Sequence, residues 1–358
     1  MLLYAGITSF SFKYSSLANN LVTKLKQRSQ SAGNFAPSNT TNLTTQKVNN
    51  YLEEGLYYIN NNSKSSSETL RNKTNTFIKQ VSIHVPTHLK PKNDNDFGYY
   101  LAGIIDAAGN FSIKNSDLQL VIKFNELDAS LAYFLKQRLG FGRVFKIKNE
   151  KAIIFVVSKL QGIAKVINLI NGKIRSQNKL NQIRNNVLSN PYFSSGFFQP
   201  NTTLDLNQVV NNHNTVKIFN LNENSDLQNY WLCGFSDIIS KFNIQILNSS
   251  TCSIDSVPEI RLTFQLDYKE IELLTLIKSY LGGNINYNKN QDYYCYNTIT
   301  FESAKKIIDY FNQYHLLSLN HVNYLKWRKT YVIIQNNEHL TVSGFNKIIK
   351  NQKSMNKN

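Results

Sequence analysis

Two blocks of this chain have the same shape. YYLAGIIDAAGNFSI, residues 99–113, and YWLCGFSDIISKFNI, residues 230–244, each begin as an apolar helix and run directly into an alternating strand. Asp106 and Asp237 hold the same place in the two blocks, a domain length apart. Such a period restricts the chain to one small architecture built twice.

The segments after each block repeat as well. The first block is succeeded by FSIKNSDLQLVIKF, DASLAYFLKQRL, a GFG turn, RVFKIKNEKAIIFVV and QGIAKVINLI. The second is succeeded by FNIQIL with EIRLTFQL, KEIELLTLIKSYL, a GG turn, NINYNKNQDYYCYNTIT and SAKKIIDYFNQY. Both read as αββαββα, so the fold class is α+β with two pseudo-symmetric repeats. The divisions are residues 86–188 for the first repeat, 189–226 for an Asn/Pro/Gly-rich linker and 227–315 for the second repeat. Residues 316–358 form a basic tail of two helices, LNHVNYLKWRKTYVIIQ and VSGFNKIIKNQK.

Residues 1–85 differ in kind. They are rich in Ser, Thr, Asn and Gln, and no acidic residue precedes Glu53. That composition buries little apolar surface, so a largely disordered extension is expected. It reads either as a transit peptide or as a linker left by translation from an upstream frame, and the linker is preferred. Pro86 and Pro91 then keep the chain extended, and Asp94 or Asp96 can cap the helix after them.

The formal charge of +17 points to a polyanionic partner, most simply nucleic acid. Cys233, Cys252 and Cys295 are too far apart for a zinc ribbon or a disulfide scaffold. His315 and His321 lie close together, but a surface or capping role suits them better than metal ligation. No window is apolar enough to span a membrane. Asn, Lys, Ile, Tyr and Phe are favoured and Gly and Pro scarce, a bias that suits an A/T-rich genome such as an organelle's.

The strands alternate cleanly. In LQLVIKF the apolar set is Leu118, Leu120, Ile122 and Phe124; in EIRLTFQL it is Ile260, Leu262, Phe264 and Leu266. Each sheet therefore buries one face and leaves a polar, partly basic one. Lys114, Gln119, Lys123, Lys146, Lys148, Asn243, Gln245, Arg261, Thr263 and Gln265 are assigned to that face as nucleic-acid-binding residues. Gln, Arg, Lys and Thr read base edges, and a β-ribbon fits the major groove.

LAGIIDAAG and LCGFSDIIS resemble the two signature motifs of the single-chain LAGLIDADG homing endonucleases. HVPTHLKP, NLINGKIRSQNKLNQI and YLKWRKTYVIIQNNEHLT are similar to the fungal mitochondrial intron-encoded branch of that family, so the resemblance covers about 84–358. It implies a saddle of antiparallel sheets, a monomer, mitochondrial localisation, and duplex DNA or group I intron RNA as partner. In the motif, small residues let two helices approach closely. Gly103, Ala107 and Gly234 supply them, while Ile238 replaces the fourth. The family's eighth motif position is an acid, and the two acids hold divalent metal between the DNA strands.

Here the eighth positions are Ala108 and Ile239. Asp106 and Asp237 stand at the sixth, about 200° further round the helix. They are read as shaping and capping groups rather than catalytic ones, so no catalytic or metal-binding set is intact. Relatives also often carry lysine where this chain has Asn320. The expectation is a nucleic-acid-binding protein deficient in cleavage, with Mg²⁺ needed only if activity remains. The alternatives are an active site-specific endonuclease, an RNA maturase assisting group I intron splicing, and a decaying reading frame. Lys326, Arg328, Lys329, Lys347 and Lys350 of the tail suit phosphate contact.

Overall fold

A computed structural model describes residues 80–194, 219–247 and 258–355. The disorder expected before residue 80, and most of the 189–226 linker, lie outside the described residues.

The first repeat opens on helix α1 (Asp94–Ala108), capped by the Asn93 side chain, which accepts from the Asp96 amide at 2.8 Å. Asp94 and Asp96, read from sequence as caps, instead sit in the first helical turn. Strands β1 (Gly109–Lys114) and β2 (Asp117–Asn125) form a hairpin. Its two-residue turn has Asn115 and Ser116 both at positive φ, 50° and 68°, the geometry that matches strand twist. Helix α2 (Ala129–Leu139) ends at Gly140, whose φ of 76° closes it in left-handed conformation. Then come β3 (Arg143–Lys146), β4 (Ala152–Val157), α3 (Leu160–Ile170) and α4 (Gln177–Gln182), the last running into a π-helical stretch to Leu188.

The second repeat has the same order: α5 (Trp231–Ile239), β5 (Ser240–Leu247), β6 (Glu259–Tyr268), α6 (Ile271–Leu281), β7 (Asn284–Asn288), β8 (Tyr293–Thr298) and α7 (Phe301–Gln313). The tail forms α8 (Asn320–Gln335) and α9 (Val342–Met355). The sheets are antiparallel, ordered β1-β2-β4-β3 and β5-β6-β8-β7. The identical order arises from identical patterning: β2 and β6 bury alternate residues, and their inner faces pack on the helices of their own repeat.

Helix α8 is a core element rather than a peripheral arm. Tyr324, Trp327, Arg328 and Tyr331 are buried in it. Arg328 donates to Asn312 Oδ1 and to the carbonyls of Ser82 and His84, at 3.1, 2.8 and 2.9 Å. Gln335 clasps Val81 in both directions. The segment leading into α1 is thus held by the far end of the chain. Lys326 donates to the Ser354 carbonyl and ties α8 to α9. The phosphate role expected of Arg328 is corrected on this point: its guanidinium is buried and donates to the Asn312, Ser82 and His84 oxygens.

Candidate nucleic-acid interface

The two motif helices meet at glycine. A Cβ on Gly103 would lie 2.0 Å from the Trp231 carbonyl oxygen and 2.7 Å from the Phe235 nitrogen. A Cβ on Gly234 would lie 2.0 Å from the Tyr100 carbonyl oxygen and 3.2 Å from the Ile104 nitrogen. Each glycine faces the same two positions of the other helix, so α1 and α5 run parallel and in register. Their feet therefore reach one level. The seventh positions, Ala107 and Ile238, are half-buried against the core.

The two acids are buried at the helix ends. Asp106 accepts from the amides of Arg175 (2.9 Å) and Ser176 (3.2 Å) and from the Trp231 indole (2.7 Å). Asp237 accepts from the amides of Leu317 (2.8 Å) and Ser318 (3.0 Å), the Ser318 hydroxyl (2.6 Å) and the Tyr100 hydroxyl (2.6 Å). Both satisfy free N–H groups leading into a subsequent helix, α4 or α8. Burial pushes Asp106 up to about 7 and Asp237 up to about 6, against the opposing pull of these donors. Asp128 and Glu270, at the heads of α2 and α6, reach across the repeats to the Leu319 amide and the Ser176 hydroxyl, at 2.8 and 2.7 Å. Arg175 lies over the Trp231 ring at 5.2 Å and donates to the Asn224 and Asp226 carbonyls, fixing the end of the linker. None of these partnerships has a local sequence signal.

Ala108 and Ile239, the eighth positions, are half-buried hydrocarbon side chains packed on the core. They present no oxygen. The nearest acids along each helix, Asp106 and Asp237, are inaccessible and fully engaged. The helix feet therefore do not fit a divalent cation by donor chemistry. Among the described residues no group of three His, Cys, Asp or Glu is arranged to hold a metal ion. Asn320 donates to the Ser240 and Ser236 carbonyls at 3.1 and 3.4 Å, capping the foot of α5. His315 is buried 3.0 Å from the Asn312 carbonyl near the end of α7, a capping position, and burial lowers His321 to about 4.

Strand register decides which side chains share the outward faces. Asn243, Gln245, Arg261, Thr263 and Gln265 come together on the second sheet. With Asn284, Asn286, Asn297 and Lys278 they line an open depression of about 380 Å³. Lys114, Gln119 and Lys123 share the outward face of the first sheet. Lys146 does not join them. It is in register with Ile153, which faces the helices, and it pairs with Glu126. Lys148 lies in the turn after β3. Sequence reasoning chose the wrong side of edge strand β3 and missed the contribution of edge strand β7, both of which become visible only once their partners are known. Lys123 pairs with Glu150 at 2.6 Å and Arg261 with Glu259 at 2.7 Å, both exposed pairs that salt or a phosphate can replace.

The LAGLIDADG endonuclease family model matches residues 101–185 and 232–331, together more than half of the chain. The chain belongs to the LAGLIDADG family. It is 45% identical to an uncharacterized cox1 intron-2 protein of Schizosaccharomyces pombe, over 98% of this chain and 95% of that one. It is 27% identical to the intron-encoded DNA endonuclease aI3 of Saccharomyces cerevisiae, over 74% of this chain and 70% of that one. Among solved structures, the LAGLIDADG homing endonuclease I-GzeII, in complex with its DNA target, superposes with a TM-score of 0.52 at 22% identity. It covers 73% of this chain and 98% of that one. The α+β, two-sheet fold is thus that of the LAGLIDADG meganucleases.

Proposed function

We propose that this protein, encoded in a mitochondrial intron, binds duplex DNA on its two outward sheet faces and has lost metal-dependent cleavage. One observation carries the second half: the eighth motif positions are Ala108 and Ile239. Phosphodiester hydrolysis requires an activated water and a stabilised leaving oxygen. A methyl and a sec-butyl group can do neither, and the two surviving acids are sealed beneath the helix feet. The first half is supported by the charge of +17, by the amide-rich outward face of the second sheet and by a fold shared with a protein solved on a DNA target.

The chain's own residues then act by binding alone. Arg261 and Lys123 exchange their carboxylate partners for phosphate. The Asn and Gln side chains of the second sheet offer paired donors and acceptors to adenine. A maturase role in folding its own group I intron RNA uses the same basic surface and needs no metal ligands.

The test is incubation of the full-length protein, in Mg²⁺, with a duplex spanning the intron-free insertion site of its host gene. A retarded, intact duplex supports the proposal. A cut duplex overturns the loss of cleavage. Retardation of intron RNA but not of the duplex overturns the choice of DNA.

A further inference from the structure

The outward faces of the two sheets are chemically unlike. Register aligns Asn110, Val121, Val156 and Arg143 in one row across the first sheet, and Lys123, Ile154 and Phe145 in the next. Four of these seven are apolar, and Phe145 is 46% exposed. The comparable rows of the second sheet, Lys241–Gln265–Asn297–Asn284 and Asp267–Cys295–Asn286, hold no aliphatic or aromatic side chain. Two of the four lie in strand β4, AIIFVV, which is apolar on both faces while β8 is not; Val121 of β2 and Phe145 of β3 supply the others.

We infer that the first sheet reads thymine methyl groups in the major groove of its half-site. This rests on the duplex-binding reading and names the class of sequence it selects. Position and charge select that occupant. The patch lies on the same outward face as Lys114 and Gln119 and is bordered by Lys123 and Arg143. Arg143 has no carboxylate partner among the described residues. An anionic ligand with an apolar edge satisfies both features. In the major groove only thymine offers one, its C5 methyl. Rows about 5 Å apart across strands and about 7 Å along them cover two or three consecutive base pairs. RNA does not meet the requirement, since uracil lacks the methyl and the A-form major groove is too narrow.

The test begins by selecting bound duplexes from a random DNA library with the full-length protein, then replacing selected thymines by deoxyuridine. One half of the selected sites should contain a run of two or three thymines. Each methyl removed there should weaken binding about fourfold, the value of one buried carbon. Ile154→Ser and Val156→Ser should lose most of that penalty, because the apolar contact to the methyl is gone. Gln265→Ala in the second sheet should keep it. Selected duplexes that tolerate deoxyuridine everywhere overturn the inference and leave duplex binding standing. So does a penalty unchanged in both first-sheet variants, or RNA of the same sequence binding as tightly. A protein that selects no duplex overturns both readings, and self-association lost with Phe145→Ser would then identify the patch as a contact between copies.

Discussion

Tyr100 and Trp231, equivalent residues one position before each motif, exchange acids across the helix pair. The Tyr100 hydroxyl donates to Asp237 at 2.6 Å and the Trp231 indole donates to Asp106 at 2.7 Å. Each carboxylate also holds the chain leading into a later helix, α4 for Asp106 and α8 of the tail for Asp237, so one group couples helix pairing to the path of the chain. Tyr100→Phe removes only a hydroxyl and should cost about 1–3 kcal/mol, the range for leaving a buried acceptor short of a partner. Trp231→Phe should cost more. The indole also stacks on Phe235 at 4.9 Å and lies beneath Arg175. Denaturant unfolding of the two variants checks the order.

The glycine contacts allow no side chain. Gly103→Ala and Gly234→Ala each place a carbon 2.0 Å from a backbone carbonyl oxygen of the opposite helix. Backbone cannot move aside as a flexible side chain can, so both variants should lose at least about 1–3 kcal/mol, and Gly103→Leu more. Unchanged stability in Gly103→Leu would remove the basis for the close helix pair.

Stability should fall as pH rises from 4 to 7. Asp106 and Asp237 have folded values near 7 and 6, above the ordinary 3.8. The folded chain therefore binds protons that the unfolded chain has released. Their contribution is fully present below about pH 4 and is lost as pH rises through 6 and 7. The melting temperature followed across this range should decline and then flatten above pH 7. His321, lowered to about 4 by burial, contributes with the opposite sign up to about pH 6.5, so a rise at and above that pH would mean that the amide donors outweigh burial.

Much of this arrangement is legible in the sequence, and the remainder is non-local. The two blocks, the alternation of β2 and β6, and the helices after each strand pair come from periodicity that each segment carries itself. The side on which Lys146 stands does not, because β3 is a short edge strand whose facing is set by its pairing with β4. The apolar patch of the first sheet is hidden for a related reason: AIIFVV has no alternation, so its outward residues cannot be told from its inward ones. Arg328 reads as a tail cation until the backbone of Ser82 and His84 is placed beside it. Asp106 and Asp237 could be separated from a metal role by motif position, but their partners lie far along the chain.

Binding and folding should separate by residue. Arg261→Ala or Lys123→Ala should weaken nucleic-acid affinity and lower the salt slope by about one unit, since each removes one phosphate contact. Arg328→Ala should instead lower stability, because it empties the space of a buried side chain and removes the hydrogen bonds that hold Ser82 and His84 against α8. Affinity titrations across salt concentration, beside thermal melts, distinguish the two.

The most direct measurement is Mg²⁺-dependent cleavage of the intron-free host-gene duplex by the natural chain and by the double variant Ala108→Asp, Ile239→Asp. The natural chain should bind the duplex and leave it intact, while the double variant regains cutting at the same site. Cleavage by the natural chain, at a rate that depends on the metal, would contradict the assignment of Ala108 and Ile239 as the lost ligands.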